Sequence, residues 1–188
     1  MRKSRTFLVP LVSVITLTSQ LLGGTLAGVT LPDTVQVGGR TLLLNGLGLR
    51  RKYMVKVYVA GLYLEQKSSD AGAILKEDVP KRIVMHFLRG VSKNQMVDAF
   101  NESFENNSPD AKQTMKSEIA QFLGALDSVN DGHEMLLTYV PGTGTTVTLN
   151  GKEQLTIAAP AFAPVLFSVW LGPKPPSPDL KAGLLGRQ

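Results

Sequence analysis

Arg50-Arg51-Lys52 stands at the mouth of a long apolar stretch, and Tyr53, Tyr58 and Tyr63 follow within it. An arginine turned inward at the end of an apolar cavity could hold a carboxylate or an enolate oxygen, because its planar fork matches that geometry. A tyrosine beside it could donate a second hydrogen bond. Strand alternation puts Tyr53 and Tyr63 on one face and Tyr58 on the other, so only one set can share a cavity with Arg50. The plainer alternative is a solvated rim, with apolar stems lying on the surface and charges reaching water.

Other chemistries find less footing. Gly46-Leu47-Gly48 opens like a dinucleotide fingerprint, but Arg51 stands where the third glycine belongs, and a strand follows where a helix should start. Gly142-Thr143-Gly144-Thr145-Thr146 resembles a phosphate cradle, yet it lacks the Gly-Lys-Ser/Thr ending and lies between two strands. His86 and His133 cannot build a metal site by themselves, and His133 and Glu134 alternate to opposite faces of a strand. No serine sits in a Gly-x-Ser-x-Gly elbow. The chain has no cysteine, which excludes thiol nucleophiles, redox pairs, iron–sulfur clusters and zinc fingers. No cofactor and no metal are expected.

The elements that must position Arg50 read clearly. Residues 33–44 form a hairpin around Gly38-Gly39, and Asn45-Gly46-Leu47-Gly48 breaks the chain before a strand over 53–64. That strand is apolar on both faces except at Lys56, so it lies centrally with both faces covered. A short helix with a serine cap spans 69–76, and another strand spans 82–88. Ser92 with Gln95 makes a capping box for a helix whose stripe is Val97, Phe100 and Phe104. Ser108-Pro109 starts a second helix with Met115, Ile119, Phe122, Leu123 and Leu126 inward. Strands over 134–140, 145–149 and 154–157 follow, the last two joined by Asn150-Gly151. An apolar helix over 162–171, a proline-rich connector and a short helix over 180–185 end the chain. Strands cluster at both ends with helices between, which is an α+β layout with a mostly antiparallel sheet.

The 188 residues suit one domain, and 20 Lys+Arg against 15 Asp+Glu give a formal charge of +5. Three of those cations, Arg2, Lys3 and Arg5, precede an apolar run from Phe7, and Thr25-Leu26-Ala27 offers small residues before a cut. This is the pattern of a secretory signal peptide over residues 1–27, with the domain over 28–188. Without the first 27 residues, 17 bases face 15 acids, a net of +2. The basicity is therefore largely an export signal, and nucleic acid is not an expected partner.

The run Gly46-Leu47-Gly48-Leu49-Arg50, followed by Met54-Val55-Lys56-Val57-Tyr58-Val59-Ala60-Gly61-Leu62-Tyr63-Leu64-Glu65, resembles the chalcone isomerase family. That family shows Gly-x-Gly-x-Arg and then a hydrophobic strand ending in a Gly-x-Tyr-Leu-Glu-like run. Trp170-Leu171-Gly172, the proline-containing connector and the leucine-rich last helix are similar to it too, especially to its secreted bacterial branch. The resemblance covers residues 31–186 and implies an open-faced β-sandwich, a large antiparallel sheet carrying a layer of helices with a ligand cleft between. In the plant enzymes an arginine of this segment steadies an enolate, and Arg50 is its counterpart by position.

The remaining catalytic pattern departs from that family. Tyr58 stands where the plant strand has threonine. The tyrosine and asparagine of the plant helix fall near Gln95 or Met96 and near Glu102 or Ser103, and the late threonine or serine falls near Ser168 or Val169. Non-catalytic relatives of this fold bind fatty acids through an arginine. The resemblance thus implies a periplasmic protein holding a fatty acid or similar small amphipathic carboxylate, with Arg50 as anchor and Tyr58 or Tyr63 as second donor. One alternative is an intramolecular lyase acting on a chalcone- or enone-like substrate, with Arg50 as its catalytic residue. Another is an envelope interaction module without a small ligand. Peripheral membrane contact is compatible with an amphipathic ligand.

Overall fold

The strands pair in chain order. In the computed structural model, which describes residues 23–187, β1 (Gly23–Leu26) and β2 (Val29–Pro32) form a separate hairpin. Seven further strands make one antiparallel sheet: β3 (Thr34–Val37), β4 (Arg40–Lys52), β5 (Val55–Leu64), β6 (Lys81–Phe87), β7 (Glu134–Val140), β8 (Gly144–Leu149) and β9 (Lys152–Ile157). Every pair along the sheet is antiparallel. The helices are α1 (Ala71–Lys76), α2 (Lys93–Asn107), α3 (Ala111–Thr114), α4 (Lys116–Gly124), α5 (Phe162–Leu171) and α6 (Pro178–Leu184). This is the expected α+β open-faced sandwich, with the helices layered on one face of a large antiparallel sheet.

Two cores follow from the alternation of side chains along the strands. On the helix face, Tyr58, Ala60 and Leu62 of β5 join Ile83, Met85 and Phe87 of β6 under α2, α4, α5 and α6. An aromatic group knits this core: Phe100 meets Phe122 edge-on at 4.8 Å and Trp170 at 5.9 Å, and Phe104 meets Phe122 at 5.9 Å. Edge-on geometry places the positive ring edge on the negative face, which adds to simple burial. On the other face, Val59, Tyr63, Leu42, Leu44 and Val84 pack beneath β2. Both faces of β5 are covered, as its apolar composition requires.

Local chemistry moved several boundaries. The sequence marks Asn45-Gly46-Leu47-Gly48 as a break, but β4 runs through it to Lys52. Only Asn45 leaves the register; it forms a bulge whose buried amide donates to Leu184 O at 2.7 Å and Ser68 O at 3.0 Å, and accepts from Ser68 N. Asp70, not a serine, caps α1, its Oδ1 accepting from the backbone of Gly72 and Ala73. The single helix expected after Ser108-Pro109 is two, α3 and α4, interrupted at Met115, whose φ of −128° is not helical. The Ser92–Gln95 capping box of α2 is formed at both ends.

The expected signal peptide lies mostly outside the described residues. Within them, Gly23–Leu26 is strand β1, and the expected cut after Ala27 falls in the hairpin turn, where Ala27 and Gly28 both have positive φ. Gly24 of β1 lies against Leu44 and Leu47 of β4.

Candidate functional site

Along β4 the alternation places Gly46, Gly48 and Arg50 opposite Leu62, Ala60 and Tyr58 of β5. Directly opposed residues share a face, so all three point toward the helices. A Cβ on Gly46 would sit 2.1 Å from the Gly183 carbonyl oxygen, and one on Gly48 would sit 2.4 Å from that of Leu180. The glycines therefore let the backbone of α6 lie directly on the strand. What resembles a cofactor loop in the sequence is a helix-docking face.

Arg50, next on that face, holds the connector that leads into α6. Its Nη1 donates to the carbonyl oxygens of Pro176 at 2.5 Å and Arg51 at 2.7 Å. Nε and Nη2 make no hydrogen bond among the described residues, and no carboxylate there pairs with Arg50. Asn107 of α2 grips the connector at Lys174 through both amide atoms, and Lys181 Nζ donates to Gly172 O at 2.8 Å.

Tyr58 lies across from Arg50 and is buried, with its ring edge-on to Phe87 at 5.8 Å. Trp170 of α5 donates Nε1–H to the Tyr58 hydroxyl at 3.2 Å, while the phenol's own proton finds no acceptor among the described residues. Burial pushes the Tyr58 pKa up to about 12, against the lowering effects of the Trp170 hydrogen bond and the Arg50 charge. Folded Tyr58 thus keeps its proton at pH values where the unfolded phenol, at 10.0, has lost it. Its contribution to stability is complete below pH 10.0 and is lost as pH climbs toward 12, by at most ~1.4 kcal/mol per pH unit. Tyr58→Phe is expected to flatten this alkaline decline, measured as urea midpoints at about pH 8 and about pH 11. Burial also raises Tyr63 and Tyr139, so the variant removes one share of the slope; an unchanged slope would assign Tyr58 no part in it.

Tyr63 is not brought to Arg50. The parity of β5 sends it to the opposite face, where it pairs with Leu44 and Arg82 and donates its hydroxyl to Pro32 O at 2.8 Å. Of the two tyrosines expected as second donor, the strand brings Tyr58 alone to the arginine. Tyr53 is in the β4–β5 turn, 91% exposed.

The positions that correspond to the plant enzymes' catalytic groups are engaged elsewhere. Gln95 serves the α2 cap, Met96 is core, and Glu102 is exposed. Ser168 Oγ donates to Val165 O at 2.7 Å and lies 3.1 Å from Ser108 Oγ. His86 Nδ1 is 3.1 Å from Glu134 Oε1, and His133 Nδ1 is 2.7 Å from Asn150 Nδ2, so the histidines are separately partnered. No cluster of three metal-ligating side chains occurs among the described residues.

Arg50 lines neither of two small cavities. One, of about 240 Å³, is lined by Pro173, Pro175, Pro178, Lys181, Leu185 and Arg187 on the outer side of the connector. The other, of about 150 Å³, lies beside Lys81, whose buried ammonium donates to the carbonyls of Ile74 and Glu77 and so ends α1. Beside Tyr58 lie the rings of Phe87 and Trp170. Sequence reading missed Trp170 as a partner of Tyr58; the lone tryptophan in an apolar helix was the available signal.

Comparison with known proteins gives the same architecture. The chalcone isomerase-like family matches residues 23–186. No curated protein sequence matches the chain. A solved structure described as a fatty-acid binding protein of Arabidopsis thaliana has a TM-score of 0.65 and 15% identity, covering 84% of this chain and 92% of that one. At that identity the likeness is one of fold. With the family match spanning β1 through α6, the chain belongs to the chalcone isomerase-like family.

Proposed function

We propose that the domain binds a fatty acid or similar small amphipathic carboxylate without turning it over. One observation carries this reading: the Nε and Nη2 edges of Arg50 and the hydroxyl proton of Tyr58, all without acceptors among the described residues, share the helix face of neighbouring strands beside Phe87 and Trp170. A carboxylate there would take charge-assisted hydrogen bonds from the guanidinium and one from the phenol. The fatty-acid binding protein of the same fold supports the ligand class. The engagement of Gln95 and Ser168 elsewhere supports binding over enone cyclisation, which needs hydroxyls placed at the reacting atoms.

The tail enters by parting α2 and α5 from the sheet, since Phe100, Phe122 and Trp170 pack edge-on across that layer. The same packing favours a second reading, an interaction module with no small ligand. Native mass spectrometry of the purified protein with saturated fatty acids of graded length separates the two. Stoichiometric adducts are expected; a chain that stays bare across all lengths would overturn the binding reading.

Export completes the proposal. Arg2, Lys3 and Arg5 before the apolar run from Phe7 support a leader directing the chain to the periplasm. Because β1 packs on β4, we place the cut ahead of β1, not after Ala27. N-terminal sequencing of the periplasmic protein is expected to start at or before Gly23; a start at Gly28 would restore the later cut, and a cytoplasmic protein would end the export reading.

A further inference from the structure

Four hairpins of this fold turn in two residues, and one of them puts a bulky aromatic residue at positive φ. The β1–β2, β3–β4 and β8–β9 turns use Ala27-Gly28, Gly38-Gly39 and Asn150-Gly151, placing glycine or asparagine at most positive-φ positions. The β4–β5 turn instead uses Tyr53-Met54, with Tyr53 at φ 56°. A bulky side chain in the left-handed region is strained, and such strain persists where the displayed side chain has a use. Neither side chain is packed: Tyr53 is 91% and Met54 93% exposed, and Val55 beside them is 43% exposed.

The charge around this tip has one sign. Arg51, Lys52 and Lys56 flank the pair and are exposed, Arg50 follows on the inner side, and no acid occurs anywhere from Thr34 to Leu64. Arg89, exposed just past the end of the neighbouring β6, adds a further cation at the same end of the sheet. The acids at that end are Asp131 and Glu134, of β7 and its approach two strands from β5, with Glu134 paired to His86, and Asp179 in the first turn of α6. Among the described residues no helix is long and apolar enough to cross a membrane.

We propose that the β4–β5 tip is a membrane-docking prong that seats Tyr53 and Met54 in the interfacial layer of an anionic lipid surface while Arg51, Lys52 and Lys56 meet the headgroups. Tyrosine suits that layer because its ring is apolar and its hydroxyl stays wet, and methionine adapts its flexible chain among lipids. Cations beside the wedge gain from the negative surface potential, and screening removes that gain at high salt. A convex two-residue wedge ringed by cations fits a fluid, uniformly negative surface better than it fits a groove on a protein. The prong does not depend on the carboxylate site, and it is tested with no fatty acid present.

The experiment is co-sedimentation of the purified chain with vesicles of phosphatidylcholine alone and of phosphatidylcholine with an equal part of phosphatidylglycerol. Binding is expected to the anionic vesicles, weakening as salt is raised. The double variant Tyr53→Gly, Met54→Ser should weaken it by about tenfold or more, because it removes the inserted apolar area. Arg51→Glu with Lys52→Glu should abolish the preference for the anionic vesicles. Glycine at position 53 fits the positive φ, so a urea midpoint of the double variant no lower than that of wild type certifies its fold. Because the chain lacks cysteine, Met54→Cys carries a unique environment-sensitive dye whose blue shift on anionic vesicles reports insertion. No binding to either vesicle, as for a tip that meets a protein partner, or equal binding by the folded double variant, would overturn the proposal.

Discussion

Gly46→Ala is expected to lower the unfolding free energy by about 3 kcal/mol, at the upper end of what overpacking a well-filled site costs. The new Cβ would stand 2.1 Å from Gly183 O, 2.9 Å from Leu184 O and 2.9 Å from Gly186 N. All three are backbone atoms of α6 or its end, so no rotamer change can clear them. The helix must lift off β4, loosening Leu180, Leu184 and Leu185, which are buried now, and stretching the bond from Asn45 to Leu184 O. Gly124→Ala supplies the contrast. A Cβ there meets nothing within 4 Å at the end of α4, and alanine should be neutral or better by up to ~1 kcal/mol. Denaturant midpoints of the two variants measure the difference. If Gly46→Ala unfolds together with wild type, α6 does not rest on this strand as described.

The second large effect concerns ligand. Arg50→Ala is expected to weaken palmitate binding roughly 10- to 100-fold, the loss of hydrogen bonds to a charged group worth about 1.5–3 kcal/mol. Arg50→Lys keeps the charge but not the planar fork, and should fall between the variant and wild type. The arginine also ties Pro176 and Arg51, so the alanine variant loses about 1 kcal/mol of stability for each carbonyl left unpaired. Titration followed by native mass spectrometry reads affinity, and urea unfolding reads stability. Affinity loss well beyond the stability loss assigns Arg50 to the ligand. Equal binding by a folded Arg50→Ala chain would reduce it to a strap for the connector.

The large features of the fold were legible because they rest on local pattern. The both-faced apolar run of β5 announced a covered central strand, the Ser92–Gln95 box announced α2, and the apolar stretch of α5 fell at its observed bounds. Glycine misled where its use was spatial. Gly46 and Gly48 look like chain breakers, yet they sit in a strand because a helix some 130 residues later needs their missing side chains. Thr25-Leu26-Ala27 satisfies a cleavage pattern and a strand edge alike, so these residues alone do not separate β1 from the end of a leader. In the candidate site, the arginine was visible from its place beside the strand and the parity of the tyrosines from their spacing. The partners were not: Pro176 lies 126 residues from Arg50, and Trp170 lies 112 from Tyr58. Only the folded chain could introduce them.

Trp170 gives the protein a built-in optical reporter. It is the single tryptophan of the chain, 1% exposed, and its indole N–H is spent on the hydroxyl that a carboxylate would engage. Its emission therefore comes from one dry, hydrogen-bonded setting and reports on nothing else in the molecule. A guest that takes the Tyr58 hydroxyl or spreads the rings alters the colour and intensity of that emission. Docking of the exposed Tyr53–Met54 tip on a bilayer is expected to leave the buried indole in its setting. Occupancy of the interior and attachment at the surface can thus be followed separately in one cuvette, without a label for the first.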